Sequence, residues 1–413
     1  MINKTPIKIC ILGGGFGGLY TALYLTRSGW VKSGNCQITL VERNDNFLFT
    51  PLLYELITGE LQRWEIAPTY QKLLAKTPIK LCQNTVKDVN FKERQVSLGN
   101  GDRLWYDYLV LAVGRQNRWV DIPGLKTHAL TFRTLADVER LQAQLHLLET
   151  SPKESFRLAV IGGGPNGVEL ACKLADRVGK RGEIVLIERG NQLLKGFSEG
   201  VKIAAAKALS HRQIQVYLNS NVKAIQADSI VLIHQDKEII LSVNQVIWVA
   251  GTASRNWVKS LPIQQNEQGK ILTLPSLQLV DYPEVFALGD IADIDKSQQW
   301  IPATAQAAYQ QASCTAKNIV AALEGKKLSA FRYFHLGDML TLGQGAAIVS
   351  SFCFNIEGYL ASIIRRLAYI FRLPTLRHRL QVLRNLLQKA LLKIRRFFRW
   401  KLIKILSQNS VNN

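Results

Sequence analysis

Two glycine loops, 149 residues apart, constrain this chain more than any other feature. The first follows the apolar run Ile7 to Leu12 and reads Gly13-Gly14-Gly15-Phe16-Gly17-Gly18, with a helical pattern predicted over Leu19 to Thr26. A second strand pattern, Gln37 to Val41, ends at Glu42, 24 residues after Gly18. A G-x-G-x-x-G loop between strand and helix, with an acid at the tip of the next strand, is the fingerprint of a dinucleotide site. Gly13 permits the tight turn, Gly15 lets the backbone approach a pyrophosphate, and Gly18 lets helix and strand pack closely. The free N–H groups at the helix start then face the phosphates, and Glu42 accepts hydrogen bonds from a ribose diol.

One such loop also occurs as a plain glycine-rich turn in other α/β proteins, but here it recurs. Arg157 to Ile161 reads as a strand, followed by Gly162-Gly163-Gly164-Pro165-Asn166-Gly167, a helix from Val168 to about Val178, and a strand Glu183 to Ile187 ending at Glu188. Apolar strands that end at Gly114 and Gly251 follow the two loops by similar intervals, and Val285 to Asp290 adds a late strand whose last residue is an acid beside a glycine. Asp290 is expected at the carboxyl end of that strand, where open α/β sheets bind ligands. The expected fold class is therefore α/β with two Rossmann-like dinucleotide-binding domains, and two nucleotides bound at once imply electron or hydride transfer between them.

Composition supports this and removes other classes. A chain of 413 residues suits two or three domains, and 47% hydrophobic against 20% charged residues excludes a largely disordered chain. The six cysteines are scattered, with no C-x-x-C pair, so neither a disulfide framework nor a zinc site is expected. Ile9 to Leu25 is uncharged, yet its five glycines and lack of a cleavage site argue against a signal peptide or a span. Met339 to Ile356, also uncharged, suits a buried strand and turn better than a lipid-facing helix.

The net charge of +21 is uneven: residues 358–413 carry 13 Lys and Arg and no Asp or Glu. At 100° per residue, Leu360, Ile363, Ile364, Leu367, Ile370 and Phe371 gather within about 120°, opposite Arg365, Arg366 and Arg372, before Pro374 breaks the pattern. A second stripe joins Leu383, Leu386, Leu387, Ala390, Leu391, Ile394, Phe397 and Phe398, with Arg384, Lys389, Lys393, Arg395, Arg396 and Arg399 largely off it. Basic amphipathic helices of this kind suit an anionic membrane surface. Packing on the protein body, or a homodimer interface, is the alternative use; nucleic acid is not expected, because no binding motif accompanies the charge.

These motifs together resemble the flavoproteins in which an NAD(P)H domain is inserted into an FAD domain. The resemblance implies that Gly13, Gly15, Gly18, Glu42, Gly114 and Asp290 hold FAD, and that Gly162, Gly164, Gly167, Glu188 and Gly251 hold NADH or NADPH. It implies domains at 1–120 (FAD, first part), 121–275 (inserted NAD(P)H domain), 276–357 (FAD, second part) and 358–413 (membrane-docking helices). No vicinal cysteine pair is present, which removes disulfide reduction at the flavin.

Ala305-Gln306-Ala307-Ala308-Tyr309-Gln310 resembles the A-Q-x-A-x-Q helix of type II NAD(P)H:quinone oxidoreductases, which lines the quinone pocket beside the flavin ring. The resemblance implies reactive-site roles for Gln306, Gln310 and Glu169, and places Pro51 and Tyr54, within Phe47 to Leu56, at the flavin border. Phe132-Arg133-Thr134-Leu135 with Asp137 resembles the helix entering the nucleotide domain. Trp64 to Pro68, with Phe371 to Pro374, is most similar to the cyanobacterial and plastid branch that includes demethylphylloquinone reductase.

The implied activity is hydride transfer from NAD(P)H to FAD and two-electron reduction of a membrane quinone, demethylphylloquinone in vitamin K1 biosynthesis. A respiratory, non-pumping NADH dehydrogenase and a flavin-bearing redox-sensing module are the rivals. Glu188 favours NADH, but Arg189 would tolerate a 2′-phosphate, so the sequence leaves the donor open. The expected location is peripheral, on the cytoplasmic or stromal side of a thylakoid or plasma membrane.

Overall fold

The computed structural model describes residues 5–409, apart from 153, 295–300 and 352–353; of the side chains at 390, 393, 394 and from 396 onward nothing is described. The chain divides into two compact units, residues 1–365 and 366–413.

The strands that build the site are, in chain order, β1 (Ile7–Leu12), β2 (Cys36–Glu42), β3 (Ile79–Gln83), β4 (Tyr108–Leu111), β5 (Ala129–Thr131), β6 (Phe156–Ile161), β7 (Gly182–Ile187), β8 (Gln215–Tyr217), β9 (Gln245–Trp248), β10 (Val285–Ala287), β11 (Asp338–Thr341), β12 (Ala347–Ser351) and β13 (Phe354–Glu357). The helices are α1 (Phe16–Leu25), α2 (Leu135–Thr150), α3 (Pro165–Val178), α4 (Ala305–Leu323), α5 (Gly358–Phe371) and α6 (Leu376–Asn409).

The first sheet runs β10-β4-β1-β2-β3 and the second β8-β7-β6-β9-β5, all strands parallel. Both therefore place the glycine-loop strand, β1 or β6, in the middle. Such strands are covered on both faces, which is why they read as continuous apolar runs: Ile9, Ile11 and Leu12 are at most 1% exposed. Between the sheets in sequence, Gln116–Asn117 pairs antiparallel with Thr252–Ala253. These short strands begin just after Gly114 and Gly251, whose φ angles of +59° and +77° turn the chain there.

The two loop helices start three residues earlier than their apolar patterns predict, at Phe16 and Pro165. Gly17, Gly18 and Gly167 lie inside the first turns, where their low helix propensity hides the start, while Pro165 suits a first helical position. Along the first sheet, α1 packs on α4, with the Tyr20 and Tyr309 rings 4.8 Å apart edge to face.

Met339 to Ile356 forms strand and turn, as its composition suggests: β11 pairs with β12 and β12 with β13, all antiparallel. No described helix is long and apolar enough to cross a membrane. Five cysteines are described and free; Cys353 lies outside the described residues.

Candidate active site

The two glycine loops are near copies. Gly13 and Gly162 take φ of +96° and +121°, and each donates its N–H at 2.8 Å to the second strand of its unit, to Val41 O and Ile187 O. A β-carbon on Gly18 or Gly167 would collide with the carbonyl of Gly13 or Gly162, so helix and strand can meet only at glycine. A β-carbon on Gly15 or Gly164 would meet nothing within 4 Å, and neither residue caps its helix with a side chain. Each loop thus presents uncapped helix N–H groups to open space, the arrangement that receives a pyrophosphate.

The acids close each loop alike. Glu42 Oε2 accepts from Gly14 N at 2.8 Å, while its Oε1 takes the Arg43 and Asn44 amides at 2.9 and 3.0 Å. Glu188 accepts from Gly163 N and Gly190 N, both at 2.6 Å. Beneath the first loop, Tyr70 is buried and donates to Gly14 O at 2.8 Å.

Asp290 lies in a short turn after β10, between Gly289 and Ile291, 3.5 Å from Arg133. Burial pushes the guanidinium of Arg115 down, with Asp290 opposing and Arg133 and Arg118 adding to the shift. Arg255 is pushed down by burial and by Arg43, with Glu42 opposing. Arg133 thus acts on both Arg115 and Arg255, with Arg118 beside the first and Arg43 beside the second, and the buried Arg115 Nε has no hydrogen-bond partner among the described residues. A surplus of guanidinium beside an open glycine loop fits a diphosphate. Of these arginines the sequence singled out only Arg133, since nothing local ties Arg43, Arg115, Arg118 and Arg255 to one another.

Pro51 and Tyr54 lie in a 3₁₀ segment, Thr50–Leu56, between the two loops. The Tyr54 hydroxyl donates to Asn166 of the second loop at 2.9 Å, and Pro51 O accepts from Arg365 at 2.7 Å. Glu169 is not a solvated acid near the start of α3: it is 6% exposed and accepts from Thr341 N at 2.8 Å. Burial raises its carboxyl to about 7, although Arg365, 3.4 Å away, and the Thr341 N–H oppose the shift.

Arg365 also pairs with Glu55, both side chains 3% exposed. The helical wheel set Arg365 on the basic face opposite the apolar stripe; the structure buries it in an ion pair instead. Along α5, Ala361, Arg365 and Ile370 are buried, whereas Leu360, Ile363, Leu367 and Phe371 are exposed. Four of the six stripe residues are therefore exposed, while Ile370 is buried and Ile364 half-buried. In α6, which starts well before the predicted second stripe, Leu380, Leu387 and Leu391 are exposed and Val382 is buried.

On α4 the three glutamines differ. Gln306 Oε1 accepts from the Tyr333 hydroxyl at 2.8 Å. Gln310 is bonded both ways to Phe334, donating to its carbonyl at 2.7 Å and accepting from its N–H at 3.0 Å, so its amide anchors the segment after α4. Gln311, not singled out from the sequence, is 3% exposed and accepts from Gly289 N at 2.7 Å, which holds the turn carrying Asp290.

Two matched glycine loops, each closed by an acid, define a protein that binds two dinucleotides, and the residues present fit FAD and NAD(P)H. Residues 7–312 match the family model of pyridine nucleotide-disulphide oxidoreductases. A demethylphylloquinone reductase of Synechocystis sp. is 42% identical over 95% of this chain and 98% of its own length. An alternative NAD(P)H-ubiquinone oxidoreductase of Arabidopsis thaliana is 35% identical, covering 92% of this chain and 80% of that protein. The fold is also that of NDH2 from Plasmodium falciparum, solved with NADH, at a TM-score of 0.82 and 20% identity over 94% of this chain and 98% of that one. The chain belongs to the pyridine nucleotide-disulphide oxidoreductase family, and within it to the NAD(P)H:quinone oxidoreductases.

Proposed function

We propose that this chain reduces demethylphylloquinone at a membrane surface during vitamin K1 biosynthesis. The observation that carries the reading is its near full-length similarity to the Synechocystis reductase. The overall reaction is NAD(P)H + H⁺ + quinone → NAD(P)⁺ + quinol. FAD held there would supply the two-electron chemistry that links hydride transfer from the nicotinamide to reduction of the quinone.

The protein's part is binding and orientation. The first loop, with Gly13, Gly15, Gly18, Glu42, Gly114 and Asp290, holds FAD. The second, with Gly162, Gly164, Gly167, Glu188 and Gly251, holds the donor. Domains at 1–120 and 276–357 for FAD, 121–275 for NAD(P)H and 358–413 for docking follow from this division. Tyr54 and Asn166 tie the Thr50–Leu56 segment to the second loop, and Pro51 borders the flavin. Glu169, with a proton affinity near neutral pH, holds or yields a proton beside the rings. Gln306 offers an amide to the acceptor on α4; Gln310 supports it from the next turn.

The exposed Leu360, Ile363, Leu367 and Phe371 of α5 and the acid-free, basic tail support peripheral docking on an anionic leaflet, where a lipid quinone is also found. Similarity to the Arabidopsis enzyme favours a second reading, reduction of a bulk quinone pool. The quinone profile of a deletion strain separates them: accumulation of the demethylated quinone supports the biosynthetic role, and an unchanged vitamin K1 profile excludes it.

A further inference from the structure

Tyr333 donates its hydroxyl proton to Gln306 Oε1 at 2.8 Å, and the Tyr333 hydroxyl oxygen lies 3.2 Å from His335 Nδ1. His335 Nε2 in turn lies 3.6 Å from Asp338 Oδ2. Tyr333 is 8% exposed, whereas the His335 side chain is 52% exposed. A line of polar groups therefore runs from solvent, at His335, to the amide on α4.

The polarity of this line decides what Gln306 presents. A hydroxyl has one proton, so when Tyr333 gives it to Gln306, His335 Nδ1 must carry a proton and donate to the Tyr333 oxygen. Its other nitrogen, Nε2, lies 3.6 Å from Asp338 Oδ2, which sets the orientation of the ring. The Gln306 oxygen is then occupied and its NH₂ is left to face the acceptor. If His335 Nδ1 loses its proton, Tyr333 turns to donate to it, and the Gln306 amide rotates to give its NH₂ to Tyr333. Its carbonyl would then face the acceptor. A quinone oxygen gains negative charge as it is reduced, so only the first polarity stabilises it.

We propose that Tyr333, His335 and Asp338 are positioning residues for quinone reduction that fix the Gln306 amide with its donor end toward the acceptor. The inference rests on the reading of α4 as the quinone side. An amide does not readily carry a proton, so the line orients rather than conducts. The titratable groups facing His335 among the described residues are Tyr333, on its own segment, and Asp338, at the start of β11; α4 contributes the neutral amides of Gln306 and Gln310. Arg332, next to Tyr333, is exposed.

The test uses the FAD-loaded full chain on phosphatidylglycerol vesicles, with flavin absorbance confirming that each variant holds the cofactor. Turnover with demethylphylloquinone is divided by turnover with ferricyanide, which takes electrons without needing a carbonyl donor. In Tyr333→Phe this ratio falls about tenfold, the scale of one lost hydrogen bond to a charged group. In His335→Phe, which cannot donate to the Tyr333 oxygen, the ratio falls to a similar extent, whereas His335→Asn, whose amide donates from near the Nδ1 position, keeps it close to wild type. A wild-type ratio in Tyr333→Phe or in His335→Phe, or a loss in His335→Asn equal to that in His335→Phe, overturns the proposal while leaving the quinone reading intact. A wild-type protein that reduces ferricyanide but no quinone overturns both.

Discussion

Arg365 and Glu55 form a buried ion pair across 310 residues of sequence, each side chain 3% exposed. Arg365 also reaches Pro51 O at 2.7 Å and Glu169 at 3.4 Å, so α5 is bound to the segment between the two loops by one guanidinium. Removing one partner of a buried pair strands the other and costs about 3–5 kcal/mol, whereas replacing both by apolar groups is close to neutral. R365M is therefore expected to lower the thermal midpoint sharply, and E55L/R365M to recover much of the loss. Calorimetry of the two variants checks this; equal losses in both would show that the pair is not the source.

Glu169 makes the same region sensitive to pH. Its carboxyl is raised to about 7, above the ordinary value of about 4.3 for an unfolded chain. A group whose affinity for its proton is raised on folding stabilises fully below the unfolded value and loses that contribution as pH rises through the folded one. The Glu169 contribution should therefore fade between about pH 4 and 7. E169Q, which cannot ionise, should flatten the thermal midpoint against pH over that window. A profile identical to wild type would mean that Glu169 titrates as an ordinary carboxylate.

The two loops should fail separately. An alanine methyl at Gly18 or Gly167 overlaps a loop carbonyl, and such overpacking costs about 1–3 kcal/mol. G18A is expected to be purified with little FAD. G167A should keep FAD but show a KM for the nicotinamide donor raised by roughly 5- to 150-fold. Loss of FAD in G167A with normal FAD in G18A would reverse the assignment of the loops.

Glu188 closes its loop through Gly163 and Gly190 at 2.6 Å; in the proposed role at the donor ribose, its carboxylate would repel a 2′-phosphate. NADH is thus the expected preferred donor, and E188A should lower the NADH:NADPH ratio of kcat/KM by about tenfold, the scale of one charged hydrogen bond. A wild-type ratio near one would remove the preference.

What was legible in the sequence was what depends on neighbours in sequence. Gly13, Gly15 and Gly18 sit in one turn beside their strand, and Glu42 follows at a spacing fixed by the strand–helix–strand unit, so the loops and both sheets were readable. Arg115 and Arg255 were not, because the Arg133 charge that each feels is distant in sequence from at least Arg255 and reaches both only in the folded chain. Arg365 was misread for a related reason. A helical wheel ranks residues by polarity, and no local rule announces that a carboxylate from Glu55 waits for the arginine. Gln311 was overlooked because its neighbour Gln310 fitted a known spacing, yet Gln311 holds Gly289.

The most direct test mixes the purified full-length chain with NADH and demethylphylloquinone in anionic vesicles, without oxygen, following NADH and quinol together. The expected result is protein-bound FAD and one quinol formed for each NADH oxidised. Protein that retains FAD and binds NADH but forms no quinol with any quinone would contradict the account and favour a flavin-bearing sensing or binding module.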